Sequence, residues 1–385
     1  MKFYRHTRLW QSGVLVLFIY TCKQQYLPLV LQSNKNYLVV EGVIINGADS
    51  TIIKLSRTSN ISDTVLPQPQ LGATVTVVGQ DSSTYPLIDR GDGSYFSAGL
   101  NLDVNKQYKL EISTGNEKYQ SDFVPVKQTP PMDSLGWYQD SGRGNVHVYV
   151  NTHDPTNNAR YYRWDYTETW NYESAAKTDS DWVNGQLVTR DSADMIYDCW
   201  STRNASTIQI AATTQLAQDV VSQQPIITIP SSDERLSIKY SILVKQYALT
   251  EDAYNFWQNL QSTTQQLGSL FDAQPGKITG NIHSVTNPNE VVVGYIGVSS
   301  VHSKRIFISR AQVNWNGSPY YLYDSCMYYS FIPLPDSINW YLPPGNSIYT
   351  FMGLVPSNGY FIIELKGCVD CRLHGGTNIK PPFWQ

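Results

Sequence analysis

Few residues in this sequence have the types and spacing that chemistry needs. There are five cysteines, at 22, 199, 326, 368 and 371. Cys368 and Cys371 stand at C-x-x-C spacing, which would suit a structural zinc site or a redox pair. A zinc site wants a second close pair of ligands, and the sequence has none, so no metal is expected. In an exported chain the even set Cys199, Cys326, Cys368 and Cys371 reads instead as two disulfides. Three pairings stay open. A bridge closing a loop of order 100 residues contributes roughly 4–5 kcal/mol in the chain-entropy model.

The other reactive groups form no constellation. Beyond residue 21 the histidines are 147, 153, 283, 302 and 374, spread along the chain. There is no H-E-x-x-H zinc motif, no G-x-S-x-G elbow, no P-loop and no G-x-G-x-x-G. No catalytic residue and no cofactor is therefore expected. Asp165, Glu168 and Glu173 could supply a glycosidase pair, a mechanism that needs carboxyls about 5–10 Å apart. Arg90-Gly91-Asp92 spells an adhesive tripeptide, but within Asp-Arg-Gly-Asp-Gly a tight turn between strands explains every residue.

The start of the chain reads as a leader. Lys2, Arg5 and Arg8 precede an uncharged apolar run, Gly13 to Tyr20 (GVLVLFIY). A basic stretch, a short apolar stretch and a small residue at a cleavage point make a secretory signal. The run is far short of the ~20 residues a spanning helix needs. Thr21-Cys22 resembles a lipobox, in which cleavage precedes a cysteine that receives a diacylglycerol. Residues 1–21 are thus expected to be a signal peptide, Cys22 the lipidated residue and 22–36 a tether. Each buried methylene of an acyl chain contributes about 0.8 kcal/mol, so a multiply acylated cysteine holds a domain firmly.

Removing residues 1–21 takes three positive charges and no acid from a formal net charge of -4, leaving -7. A nucleic-acid partner is therefore not expected, for want of a basic footprint. Charged residues are 16%, while Tyr (27) and Trp (10) are abundant, a composition that favours strands.

The patterning agrees. Residues 37–46 form a near-continuous apolar run, and Val75, Val77 and Leu110, Ile112 alternate with polar neighbours. These and their turns predict an N-terminal β-sandwich over 37–126. Pro130 and Pro131 lie in a linker at 127–136. A second unit, 137–385, carries strands with Val146, Val148 and Val150, with Tyr162, Trp164, Tyr166 and Trp170, and with Leu236, Ile238, Tyr240, Ile242 and Val244 on common faces. One helix is predicted near 250–267, with Thr250 as N-cap, Glu251 and Asp252 in the first turn and Gly268 as C-cap. Further strands are predicted near 278–285, 290–301, 304–313 and 359–366. The expected fold is mainly β: two sandwich-like domains of immunoglobulin or fibronectin type, the second elaborated with one helix.

Four blocks carry a family resemblance: 39–58 (VVEGVIINGADSTIIKLSRT), 243–283 (LVKQYALTEDAYNFWQNLQSTTQQLGSLFDAQPGKITGNIH), 290–307 (EVVVGYIGVSSVHSKRIF) and 368–384 (CVDCRLHGGTNIKPPFW). They resemble the Bacteroidota lipoprotein family catalogued as domain of unknown function 4249. The resemblance implies a lipid anchor in the outer membrane, at the cell surface or, alternatively, the periplasmic face. It also implies a TonB-dependent, SusC-like transporter as partner. It implies no ligand and no catalytic residue. The phylum's O-glycosylation motif, Asp then Ser or Thr then a small or apolar residue, recurs at Ser50, Thr64, Ser134, Ser192 and Ser337.

Long polar loops rich in aromatics often carry binding. The candidate surface is 170–200 plus 314–347, with Trp170, Tyr172, Trp182, Trp200, Trp315, Tyr320 and Tyr321 as contacts for a glycan or peptide. Most other aromatics are expected to be core. The function expected is a non-enzymatic accessory of a nutrient-uptake complex. The alternatives are a surface glycoside hydrolase or other hydrolase, and an adhesin or structural surface protein.

Overall fold

In β1 (Leu38–Ile45), Leu38, Val40 and Ile44 turn inward while Glu41 faces water. This period of two repeats through the N-terminal unit and makes it a sandwich. The computed structural model describes residues 36–58, 67–265, 280–317, 326, 330–333, 338–343, 348–355, 357 and 359–385. The expected signal segment, Cys22, Thr64, Gly268, Tyr320, Tyr321 and Ser337 lie outside the described residues.

The next strands are β2 (Thr51–Arg57), β3 (Gln68–Pro69), β4 (Thr74–Gly79), β5 (Thr84–Asp89), β6 (Ser94–Ser97), β7 (Gln107–Thr114), β8 (Glu117–Ser121) and β9 (Val124–Pro125). Strand β5 pairs with β4 through Thr84 to Leu87 and with β6 through Ile88 and Asp89. The sheet thus folds over β5 into two layers around one core. Ile53, Leu55, Val75, Val77, Tyr95, Tyr108, Leu110 and Tyr119 fill it. The Asp89–Gly93 stretch is a hairpin turn: the Arg90 N–H donates to Ser94 O at 3.0 Å and the Gly91 N–H to Asp89 Oδ1 at 2.7 Å. Gly91 and Gly93 have φ of 79° and 83°. The Arg90 guanidinium lies 4.2 Å from the centre of the Phe96 ring.

A second series follows: β10 (Met132–Gln139), β11 (Val146–Asp154), β12 (Tyr161–Glu173), β13 (Ser180–Val183), β14 (Gln186–Thr189), β15 (Asp198–Asn204), β16 (Gln209–Ala212), β17 (Asp219–Ile229) and β18 (Lys239–Ala248). Helix α1 (Glu251–Gln265) comes next. Then come β19 (Ile282–Ser284), β20 (Gly297–Ser299), β21 (Val301–Ser309), β22 (Ser330–Pro333), helix α2 (Ile338–Tyr341), β23 (Tyr349–Val355), β24 (Tyr360–Leu365) and helix α3 (Lys366–Val369).

The first sandwich is not built from 37–126 alone. Strand β19 pairs antiparallel with β8, and β20 pairs parallel with β1. Ile282, Val292, Ile296 and Val298 complete its core. The returning segment covers two sheet edges that would otherwise offer unpaired backbone groups. The expected boundary near 126 therefore follows chain order, not packing. Gly294 permits the close approach: its φ is +138°, and a Cβ there would stand 2.1 Å from Val40 O. Gly294→Ala is expected to destabilise the chain by about 2 kcal/mol. Gly353→Ala is the control, because nothing lies within 4 Å of a Cβ there. Equal urea midpoints for the two variants would refute the account.

In the second sandwich, β10-β11-β17 faces β15-β12-β18-β21, with β16 also on β12. Val146, Val148, Val150, Tyr162, Trp164, Ile242 and Val244 are its buried centre. Helix α1 starts where expected: Thr250 Oγ1 accepts from the Ala253 N–H at 3.2 Å, with Glu251 and Asp252 in the first turn. It seals the junction between the sandwiches. Ala253 packs there with Ile45, Tyr247 and Leu249, and Tyr161 joins from the start of β12.

The segment 170–200 is not an irregular loop. It is the end of β12, the hairpin β13–β14 and the start of β15. The hairpin meets a small third sheet, β22-β24-β23. Ile332, Leu342, Phe351, Phe361 and Ile363 form a separate core there, with Trp182 packed on it. The expected second domain is thus a sandwich plus a lobe. Two disulfides hold the lobe, Cys199–Cys371 and Cys326–Cys368. Among the described residues no helix is long and apolar enough to cross a membrane.

Candidate functional site

The lobe contains a cleft of about 430 Å³, within the roughly 300–1,000 Å³ of small-molecule sites. Hairpin β13–β14 and Arg190 form one side; Leu342, Pro343, Tyr349 and Thr350 form another; Lys366, Asp370 and Arg372 lie at the end of β24 and beyond. The hairpin closes through Asn184 and Gly185, both at positive φ, which suits a two-residue turn. Trp182 on it packs against Phe361 and Phe351, with ring centres 5.4 and 6.2 Å away.

Two cations in the cleft have carboxylate partners. Arg190 Nη2 is 2.8 Å from Asp181 Oδ2. Arg372 donates to Asp370 through Nε and Nη2, each at 2.8 Å. Burial would raise the Asp370 carboxyl, but the Arg372 bonds outweigh it and hold it below the usual carboxylate range. Lys366 makes no ion pair among the described residues. Lys366 and Arg372 flank the C-x-x-C pair and Asp370 lies within it, a proximity that could have singled them out. Arg190 had no such signal, since only the fold carries it beside Asp370.

Among the described aromatics expected at a binding surface, only Trp182 lines this cleft. Tyr172 is buried, and its hydroxyl donates to Cys371 O at 2.7 Å. Trp200 is buried edge-on to Trp384. Trp170 is half-buried against the second core, with the Arg203 guanidinium over its ring. Trp315 also packs there and donates from Nε1 to Asp233 O at 2.8 Å. Strands β12 and β15 turn the first three toward the interior, and Trp315, beyond β21, is held by its bond to Asp233, so these four are packing residues.

Glu168, a glycosidase candidate on sequence grounds, is only 1% exposed. Its Oε1 accepts from Arg235 and from the Tyr240 hydroxyl, and its Oε2 accepts from Arg203 at 2.9 Å. Arg235 also chelates Asp233, with Nε and Nη2 at 2.9 and 2.7 Å. Burial by itself would lower the Arg235 guanidinium, yet Asp233 and Glu168 raise it. Burial pushes the Tyr240 phenol well up, and Glu168 adds to that. Asp165 faces outward and pairs with Arg163 at 2.6 Å. Glu173 is exposed and accepts from Tyr197. Among the described residues no group of three or more His, Cys, Asp or Glu could hold a metal.

Among the expected glycosylation positions, Ser50 and Ser192 are exposed. Ser134 is half-buried in β10 and accepts from Asn151 at 2.8 Å. Its neighbour Asp133 bonds His153 Nδ1 at 2.8 and 2.9 Å and raises that imidazole. A raised folded value means the pair's stabilisation is present below about pH 6.5 and fades as pH rises through the folded value. An NMR titration should place His153 above its ordinary midpoint, and Asp133→Asn should return it. An unchanged midpoint in that variant would remove Asp133 as the cause.

No curated protein matches the chain. Among solved structures, a two-domain fibronectin type-III segment of chicken tenascin is similar at 9% identity. It covers 54% of this chain and 88% of that one, at a TM-score of 0.14. The block at 368–384 and the lobe's third sheet lie beyond residue 305, where the family match ends. The blocks at 39–58 and 243–283, and nearly all of 290–307, fall inside residues 24–305, which match the family model described as Domain of unknown function (DUF4249), and with most of its length matched the chain belongs to that family.

Proposed function

We propose that the protein is a lipid-anchored outer-membrane accessory of a Bacteroidota TonB-dependent, SusC-like uptake complex. It works without catalysis, by presenting its stapled lobe to a nutrient or to the transporter. The observation that carries this reading is the placement of the two ends. The described chain enters β1 at Leu38, and β1 runs to the junction at Ile45. Strand β12 leaves the same junction at Tyr161 and reaches the lobe with Tyr172, about 36 Å on at strand rise. A lipid on Cys22 would tether the end of β1 away from the junction, and the lobe occupies the end of β12 away from it.

The interior location of Glu168 removes that acid from the hydrolase alternative, since a carboxylate held by two arginines is not free to exchange a proton with a substrate. The Arg90–Phe96 stacking counts against the adhesive one. The test is a mild-detergent pulldown of the tagged protein from its native outer membrane, with mass spectrometry. A stoichiometric TonB-dependent transporter is expected. Recovery of the protein alone, while other transporter complexes survive the same detergent, would refute the accessory reading.

A further inference from the structure

The lobe cleft has a chemical character of its own. Its ionic lining is Asp181, Arg190, Lys366, Asp370 and Arg372. Asp181 neutralises Arg190 and Asp370 neutralises Arg372. The ammonium of Lys366 is left over, with no ion pair among the described residues. The lining therefore carries three cations against two carboxylates, a formal surplus of one positive charge in a chain whose formal net charge is -4. In a site partly withdrawn from water, such a charge favours an anion more than it would at an open surface.

The rest of the lining is mostly apolar or aromatic, with Asn184 and Thr350 as its neutral polar members. Trp182 is fixed by Phe351 and Phe361, and Tyr349 stands on the neighbouring strand of the lobe sheet. A fixed aromatic wall facing placed polar groups is a make-up that small-molecule sites use. Such a wall suits a ring, and the single surplus cation suits a single negative charge.

We infer that the cleft beside Lys366 binds a small ring-bearing monocarboxylate, its acid group on the Lys366 ammonium and its ring against Trp182. This rests on the reading of the lobe as the presenting end. The carboxylate on a ring is the shared chemistry of two sources, an acidic sugar and an aromatic acid.

The test is a ligand-observed NMR titration of the full exported chain at low salt. Glucuronate is compared with neutral glucose, and 3-phenylpropionate with its neutral amide. At least one acid should bind about tenfold or more tightly than its neutral partner, and which acid does so identifies the source. Lys366→Gln should remove the preference. Lys366→Arg, which keeps the charge, should retain it, as should Lys54→Gln on the exposed face of β2. Equal binding of acid and neutral partner, binding of neither acid, or an intact preference in Lys366→Gln would overturn the inference. Should Lys366→Gln fold poorly by its melting curve, Lys366→Arg decides. Loss of the acid preference with arginine present would overturn the inference too. Transporter capture is scored separately on wild type and Lys366→Gln. Capture without acid binding would sink this inference and spare the accessory reading. Acid binding without capture would do the reverse.

Discussion

Replacing Glu168 by Ala is expected to destabilise the second sandwich by about 3–5 kcal/mol, the usual cost of breaking a buried ion pair from one side. The carboxylate sits on β12 among aromatic side chains at 1% exposure. It neutralises part of the charge of Arg235, itself 9% exposed, and accepts from Tyr240, which is fully buried. Truncation leaves the Tyr240 hydroxyl without its acceptor and Arg235 with Asp233 alone. Glu168→Gln keeps the shape and loses the charge, so about 2 kcal/mol is expected, in line with hydrogen bonds to charged groups. Glu41→Ala, on the exposed face of β1, should stay within about 0.5 kcal/mol. Guanidinium denaturation checks all three. A Glu168→Ala midpoint indistinguishable from that of Glu41→Ala would show that the network contributes nothing to stability.

The second large effect belongs to the disulfide between Cys199 and Cys371, which joins positions 172 apart in sequence. In the chain-entropy model a closure of that length stabilises by about 5 kcal/mol. The bridge between Cys326 and Cys368, spanning 42, stabilises by about 4 kcal/mol. The longer bridge also ties the lobe to β15 of the second sandwich. Cys199→Ser with Cys371→Ser should therefore lower stability more than Cys326→Ser with Cys368→Ser. It should also free the lobe for limited proteolysis near residue 371 while the first sandwich survives. Both cysteines of the longer bridge are fully buried, and Tyr172 bonds the Cys371 carbonyl beside it. Native protein should resist reductant until it is partly unfolded. An unchanged digestion pattern in the Cys199→Ser, Cys371→Ser variant would mean that packing alone holds the lobe.

Much of the fold is legible locally. The alternation of Val75 and Val77, of Leu110 and Ile112, and of Val146, Val148 and Val150 marks strands that the structure contains. Thr250 with Glu251 and Asp252 marks the start of α1. These signals are legible because period-two patterning and helix capping act between residues close in sequence. The same logic held along β12, and what misled there was the reading of Trp170 and Tyr172 as part of a binding loop. Tyr162, Trp164, Tyr166 and Trp170 do share a face, and Glu168 belongs to it by the same period. An acid on an inward aromatic stripe signalled a buried ion network, and its partners Arg203 and Arg235 are far along the chain.

Sequence by itself determined the β class, most strand positions, the helix start and the availability of four cysteines for bridges. Tertiary structure alone decided which cysteines meet, where β19 and β20 dock, and which charges converge on the lobe cleft. Strands near 278–285 and 290–301 are expected from local pattern, but the strands formed there are the short Ile282–Ser284 and Gly297–Ser299, and their partners are edges offered by β8 and β1 more than 150 residues earlier. Arg190 and Lys366 likewise become neighbours of one cleft only when hairpin and sheet pack together. Such pairings are set by which apolar faces and open edges remain to be covered, a property of the assembled layers that no window of sequence contains.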